Sequence, residues 1–384
     1  MANTLTNLIP DLYAALDIVS RELVGLIPAV MLDAQAARAA VNQTLRIPLA
    51  PASTAADVTP ASTAPDTGDQ TFTNATVTIS KSRAVPIRWT GEETLGINSG
   101  VGFQALRQAQ FAQAMRTLTN EVEADLAALY AKASRAYGTA GTAPFGTAGD
   151  YSDASQIRKI LADNGAPLSE LQLVLNTTAG ANLRGKQAQA YMVGDTSLLR
   201  QGVLGDFNGM AVRESAQIKS HTKGTGASAT TDNAGYAVGS TSLTLASAGT
   251  GTLLAGDVVT FAGDTANKYV VTTGDSDVSN GGTLVLGAPG IQVAMSAATK
   301  AITVGNSYAA NLAFARSAIL LAARAPALPD GGDMADDRTT ITDPRSGLSF
   351  EVSAYRQYRR VHYEVALAWG VAAIKPEHIA ILLG

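Results

Sequence analysis

Along residues 11–28 the apolar positions Leu12, Leu16, Val19, Leu23 and Leu26 recur every three or four residues, the spacing that gathers side chains on one face of an α-helix. Asp11 can cap the first turn and Pro28 marks the end. The period then changes. Leu45, Ile47 and Leu49 alternate with polar or imino residues, and Ala75, Val77, Ile79, Val85, Ile87 and Trp89 do the same, so both runs predict strands with one apolar face. Residues 50–70, rich in Pro, Ala, Ser, Thr and Asp, separate them. A loop that long is uncommon inside a compact domain. A projecting two-stranded arm with a mobile tip is the expected form, and Pro48 and Pro86 are tolerable there only on edge strands.

Helical spacing returns over 101–137, carried by Phe103, Leu106, Phe111, Met115, Leu118, Val122, Leu126, Leu129 and Ala133. At 1.5 Å per residue this predicts a helix of roughly 50 Å. The glycine-rich stretch "YGTAGTAPFGTAGD" ends it. "SDASQIRKILADNG" then reads as a capped helix closed by Gly165, followed by the strand "LQLVLN" (171–176). The block 222–306 is different in kind. It holds 14 of the 36 glycines and short alternating runs at "STSLTLAS", "GDVVTF", "KYVVTT", "GTLVLG", "IQVAM" and "AITVG", which predict a small antiparallel barrel inserted into an α+β region. "NLAFARSAILLAARAP" (311–326) resumes the earlier character, and the tail from Phe350 onward reads as one long strand pair interrupted at Gly370.

Composition narrows what such a chain can do. Charged residues are only 16% of the sequence and aromatics 5%, so much of the surface is Thr, Ser, Asn, Gln, Ala and Gly, as expected of a protein that faces other protein. A net charge of -4 disfavours nucleic-acid binding as the main task. With no cysteine, disulfides and thiolate chemistry are excluded. The N-terminus has no basic start leading into an apolar core, and "LVGLIPAVML" (23–32) is too short to span a bilayer, so a soluble, unsecreted protein is expected.

The inserted block has five Asp and three Lys but no His, Glu, Arg or Cys, which disfavours acid-base catalysis there. "GTGASA" (224–229) lacks the flanking strand and helix of a dinucleotide site and reads as a flexible linker; "GDTANK", ending at Lys268, lacks the phosphate-loop pattern and reads as a hairpin connection. Asp330, Asp333, Asp336 and Asp337 could supply oxygen ligands to a hard cation, but without calcium-hand spacing they read as a solvated loop. His221, His362 and His378 form no ligand pair and are expected to be structural. In "YRQYRR" (355–360), read as strand, Arg356 and Arg360 share a face with Tyr358 opposite Arg359, and ion pairing to a neighbouring subunit is the favoured use over nucleic-acid contact. No GxSxG run nominates a serine. The expectation is a protein that is not an enzyme, with no catalytic, cofactor-binding or metal site.

The stretches "LYAALDIVSRELVGLIPAV", "AGDVVTFAG" and "YEVALAWGVAAIKPEHIAILLG", taken in this order of elements, resemble the major capsid (coat) proteins of tailed bacteriophages, of the podovirus coat type with an inserted barrel. The resemblance implies the Hong Kong 97-type fold. It assigns 1–41 to an N-terminal arm, 42–92 to an extended E-loop, 93–149 to the spine helix and peripheral domain, and 150–220 and 308–340 to an axial domain. The inserted barrel takes 221–307 and the C-terminal strands 341–384. It further implies self-assembly through pentamers and hexamers into an icosahedral shell around double-stranded DNA, made in the bacterial cytoplasm with a scaffolding protein and a portal. Membrane partners and sequence-specific DNA binding are not implied. Lys81, the lysine nearest the arm, is expected to be a solvated or interface charge and not a cross-linking residue. Two alternatives remain open at this point: a nanocompartment shell built on the same fold, and an enzyme or carbohydrate-binding protein that uses the insert as its binding module.

Overall fold

The computed structural model describes residues 12, 25–33, 37–49, 55, 57, 58, 60, 71–98, 103–147, 150–187, 204–343 and 346–384. Most of the expected N-terminal helix and of the arm's tip, 50–70, lies outside them. Within the described part Leu12 is helical and buried, and a short 3-10 turn at Ile27–Ala29 carries Pro28, which fits its fixed φ.

In chain order the strands are β1 (Met31–Asp33), β2 (Thr44–Leu49), β3 (Thr73–Thr78) and β4 (Lys81–Thr90), followed by helices α1 (Gly91–Asn98) and α2 (Phe103–Ala127). Then come β5 (Arg135–Tyr137), α3 (Ser152–Asp163), β6 (Leu171–Leu175), α4 (Thr177–Gln187), β7 (Asp206–Phe207), β8 (Met210–Glu214) and β9 (Ser220–His221). The glycine-rich block supplies β10 (Ser242–Leu245), β11 (Val258–Phe261), β12 (Asp264–Thr273), β13 (Gly282–Leu286) and β14 (Ile302–Val304). The chain closes with β15 (Tyr308–Ala315), β16 (Ile319–Arg324), β17 (Asp337–Thr342), β18 (Ser349–Gln357), β19 (Arg360–Ala373) and β20 (Ile379–Leu383).

Two large sheets organise all of these strands but β2 and β3, which pair with each other. In one, β19 pairs with β16, β18 and β4, while β1 and β17 extend it. In the other, β5, β20, β15, β6 and β8 form the body, and β12 of the glycine-rich block pairs antiparallel with β5 at Lys268↔Ala136 and Tyr269↔Arg135. Helix α2 lies on the first sheet with Phe111, Met115, Leu118, Val122 and Leu126 at most 1% exposed, each such burial contributing roughly 1.5–3 kcal/mol. The main core joins this stripe to the body strands. The glycine-rich block has a core of its own, built from Leu243, Val259, Phe261, Tyr269, Leu284 and Ile291 among others.

Four expectations need correction. The run read as one strand over 75–89 divides at Ile79–Ser80: β3 pairs only with β2, whereas β4 pairs with β19 along its whole length. The long helix stops at Ala127, because Ala128–Lys132 tightens to a 3-10 turn and Arg135–Tyr137 becomes a strand between β20 and β12. At 1.5 Å per residue its 25 residues span roughly 37 Å. "IQVAM" is no strand; Met295 makes only an isolated bridge to Tyr236. "GTGASA" is no free linker, since Gly226 and Ala227 donate to the carbonyls of Thr252 and Thr250.

Candidate functional site

The arm begins where the sheet ends. β2 and β3 pair over six residues, from Thr44↔Thr78 to Leu49↔Thr73, and neither has a further strand beside it among the described residues. Pro48 therefore sits on a strand with a free edge, where proline is tolerated. At the base, Asn42 adopts a left-handed φ of 70° and donates to Ile79, Ile79 donates to Gln43, and Ser80 donates to Trp369 at 3.0 Å. Val77, Ile79, Leu45 and Ile47 pack there on Leu320, Ala322 and Ala368. Gly370 makes the seat possible, since a Cβ on it would lie 2.1 Å from the Thr78 carbonyl oxygen.

A second device ties the N-terminal segment to α2. Glu123, 0% exposed, accepts from the backbone N–H of Leu26 (2.9 Å) and of Ile27 (2.7 Å) and from the Ser215 hydroxyl (2.7 Å). Burial pushes its pKa up against the opposing pull of these donors. Sequence reading missed this residue, although Met115, Thr119 and Glu123 stand four apart on the apolar face, a polar intrusion that calls for buried partners.

The third device closes the base of the glycine-rich block. β9 enters it and β15 leaves it side by side, with Tyr308 opposite His221. The tight turn at Gly256, φ 95°, drives Asp257 into this base. The Asp257 carboxylate accepts from Gly224 N–H (3.0 Å), Leu254 N–H (2.7 Å) and His221 Nε2 (2.8 Å), and is 0% exposed. A carboxylate only accepts, so His221 Nε2 donates to Asp257, while His221 Nδ1 lies 2.9 Å from the Tyr130 hydroxyl and is engaged by it. Tyr308 donates to the Gly256 carbonyl at 2.6 Å. Burial, with Tyr130 and Asp257 nearby, raises the Tyr308 pKa, and burial with Asp257 raises that of Tyr130, so both stay donors. With both ring nitrogens engaged and the carboxylate sealed, the arrangement locks the block to the body and offers no free base. Asp257→Ala should destabilise the protein by about 3 kcal/mol, read as a lower urea midpoint, because two backbone donors and a histidine lose a buried acceptor; an unchanged midpoint would remove the lock from the account.

The other sequence candidates do not converge. His362 lies on β19 and His378 in a 3-10 turn before β20, each with its pKa lowered mainly by burial. The acidic loop is already neutralised in part: Asp333 pairs with Arg338 and Asp336 with Arg356 at 2.7 Å. Arg356 has an ion-pair partner within its own chain, and "YRQYRR" is not one strand but a hairpin, Tyr358 and Arg359 forming the turn between β18 and β19. Lys81 is likewise an internal charge, 2.7 Å from Asp125 of α2 and 5.9 Å above the Trp369 ring. Among the described residues no cluster of three or more His, Asp and Glu is placed to hold a metal ion. No helix among them is long and apolar enough to cross a membrane.

No family model matches the sequence, and no curated protein does. Solved structures similar to the chain include one from Mycobacterium phage Che8, 13% identical, covering 89% of this chain and 84% of that one with a TM-score of 0.45. The capsid structure of the cyanophage P-SCSP1u is 10% identical, with 92% and 86% covered and a TM-score of 0.48. A virus-like particle from Pyrococcus furiosus is 9% identical, with 98% and 100% covered and a TM-score of 0.43.

Proposed function

We propose that this chain is a major capsid protein of a tailed bacteriophage, a structural subunit and not an enzyme, with the Hong Kong 97-type fold. The observation that carries the reading is the β2–β3 arm, a hairpin whose strands pair only with each other while its base is fastened to β16 and β19. A solitary globule gains nothing from a hairpin whose outer edges stay unpaired. In a lattice such edges meet a neighbouring copy and become joints.

On this reading 1–41 is the N-terminal arm, 42–92 the E-loop, 93–149 the spine and peripheral region with α2 as spine, and 341–384 the C-terminal strands. The axial domain takes 150–220 and 308–340 around the inserted barrel, 221–307. The Tyr130–His221–Asp257–Tyr308 base supports such an insert by fixing its angle to the body. Pentamers and hexamers would build an icosahedral virion shell with a scaffolding protein and a portal. A net charge of -4 suits a lining along which packaged double-stranded DNA slides without sequence-specific contact.

Negative-stain electron microscopy of the overexpressed chain tests this. Closed shells, spirals or sheets are expected. A species that stays monomeric across salt and protein concentration would overturn the reading, and shells that co-purify with an enzyme cargo would move it to a nanocompartment.

A further inference from the structure

Two features of the surface are complementary and lie apart in the chain. The first is a groove of about 510 Å3 between β1 and β2, floored by Leu32, Leu45, Ile47 and Leu320. Met31 at its lip is 53% exposed. Of the cations that line it, Arg324 pairs with Asp33 at 3.0 Å, whereas Arg46 and Lys375 have no carboxylate partner among the described residues. The groove is apolar with a positive rim.

The second is the loop 329–336 between β16 and β17. It holds Met334 out at 88% exposure. The loop is fastened on both sides of that residue: Arg338 donates to both oxygens of Asp333 at 2.6 Å, Tyr355 donates to Asp333 at 2.9 Å, and the Asp336 N–H donates to the Ala354 carbonyl at 2.8 Å. Asp330, exposed, has no cationic partner among the described residues. The loop that carries Met334 is thus ordered before docking, so less freedom is lost when this apolar side chain is buried by a partner. No residue of this loop lines the groove of its own chain.

We infer that the Met334 loop of one copy docks in the β1–β2 groove of a second copy, with Met334 on the apolar floor and Asp330 toward Arg46 and Lys375. The loop and the groove are different patches, so the contact is head-to-tail, the type that builds rings and extended lattices. This deepens the shell reading and rests on it.

The absence of native cysteine gives a clean test. Met31→Cys and Met334→Cys chains are made separately, co-assembled and treated with a short bismaleimide. The expected product is a covalent dimer from the mixture, at least tenfold above that from either variant alone. Shells of normal appearance without that dimer overturn the docking while leaving the shell reading intact; an absence of shells with wild-type chain overturns the shell reading itself. A charge exchange supplies an independent arm: Arg46→Glu should slow assembly at least tenfold and Asp330→Lys in the same chain should restore it. Equal assembly of all three proteins would also overturn the docking.

Discussion

Glu123→Ala is expected to destabilise the protein by about 3 kcal/mol, because it leaves the Leu26 and Ile27 N–H groups and the Ser215 hydroxyl buried without their acceptor. For a chain this long the melting temperature should fall by roughly 4 °C. The conservative Glu123→Gln retains one acceptor oxygen and should lose less. The pair also separates the charge from the hydrogen bonds. The folded pKa of Glu123 is raised above its ordinary value of 4.5, so between those two values the folded state holds more proton than the unfolded one. Its contribution is fully present below pH 4.5 and is lost as pH rises through the folded value. Thermal melts of wild type and Glu123→Gln across that window should differ in slope; identical slopes would show that the carboxyl does not titrate with folding.

Gly370→Ala is expected to unseat the arm. The added Cβ would lie 2.1 Å from the Thr78 carbonyl oxygen and 2.9 Å from the Ile79 Cα, backbone atoms that cannot rotate aside. Either β19 bends or the hairpin base lifts, and lifting breaks the Ser80–Trp369 hydrogen bond and uncovers Val77 and Ile79. A cost of about 3 kcal/mol follows from overpacking and lost burial together. The arm would then point elsewhere, so assembly should fail more completely than stability does. Limited proteolysis within 44–78 and the yield of sedimentable particles are the readouts. Wild-type yield with wild-type protease resistance would contradict the seat described here.

The local periods of the sequence carried much of this architecture. Alternation at Leu45, Ile47, Ala75 and Val77 marked the arm, and the stripe Phe111, Met115, Leu118, Val122 and Leu126 marked the buried face of α2. The end of α2 was not legible. Leu129 and Ala133 continue the helical spacing, and what stops the helix is the pairing of β5 with β20 and β12, whose residues lie more than 100 positions away. The same limit hid the junction lock. "AGDVVTFAG" showed a turn with an acid in it, but the acid's role comes from Gly224 and His221, brought to it from a segment more than 30 residues earlier, beside its own neighbour Leu254. Lys81 and Arg356 looked free for a neighbour because their partners Asp125 and Asp336 are brought to them only by the folded sheet.

Sedimentation velocity on two proteins tests the central claim most directly: the full chain, and a variant in which 46–76 is replaced by an Asn-Gly turn that spares Leu45, Val77 and β4. If the arm is the joint of a shell subunit, the full chain sediments as particles of many copies, and the shortened chain sediments as single or few subunits with the same far-ultraviolet circular dichroism from the remaining strands. Particles of equal size from both proteins, or monomers from both, would contradict it.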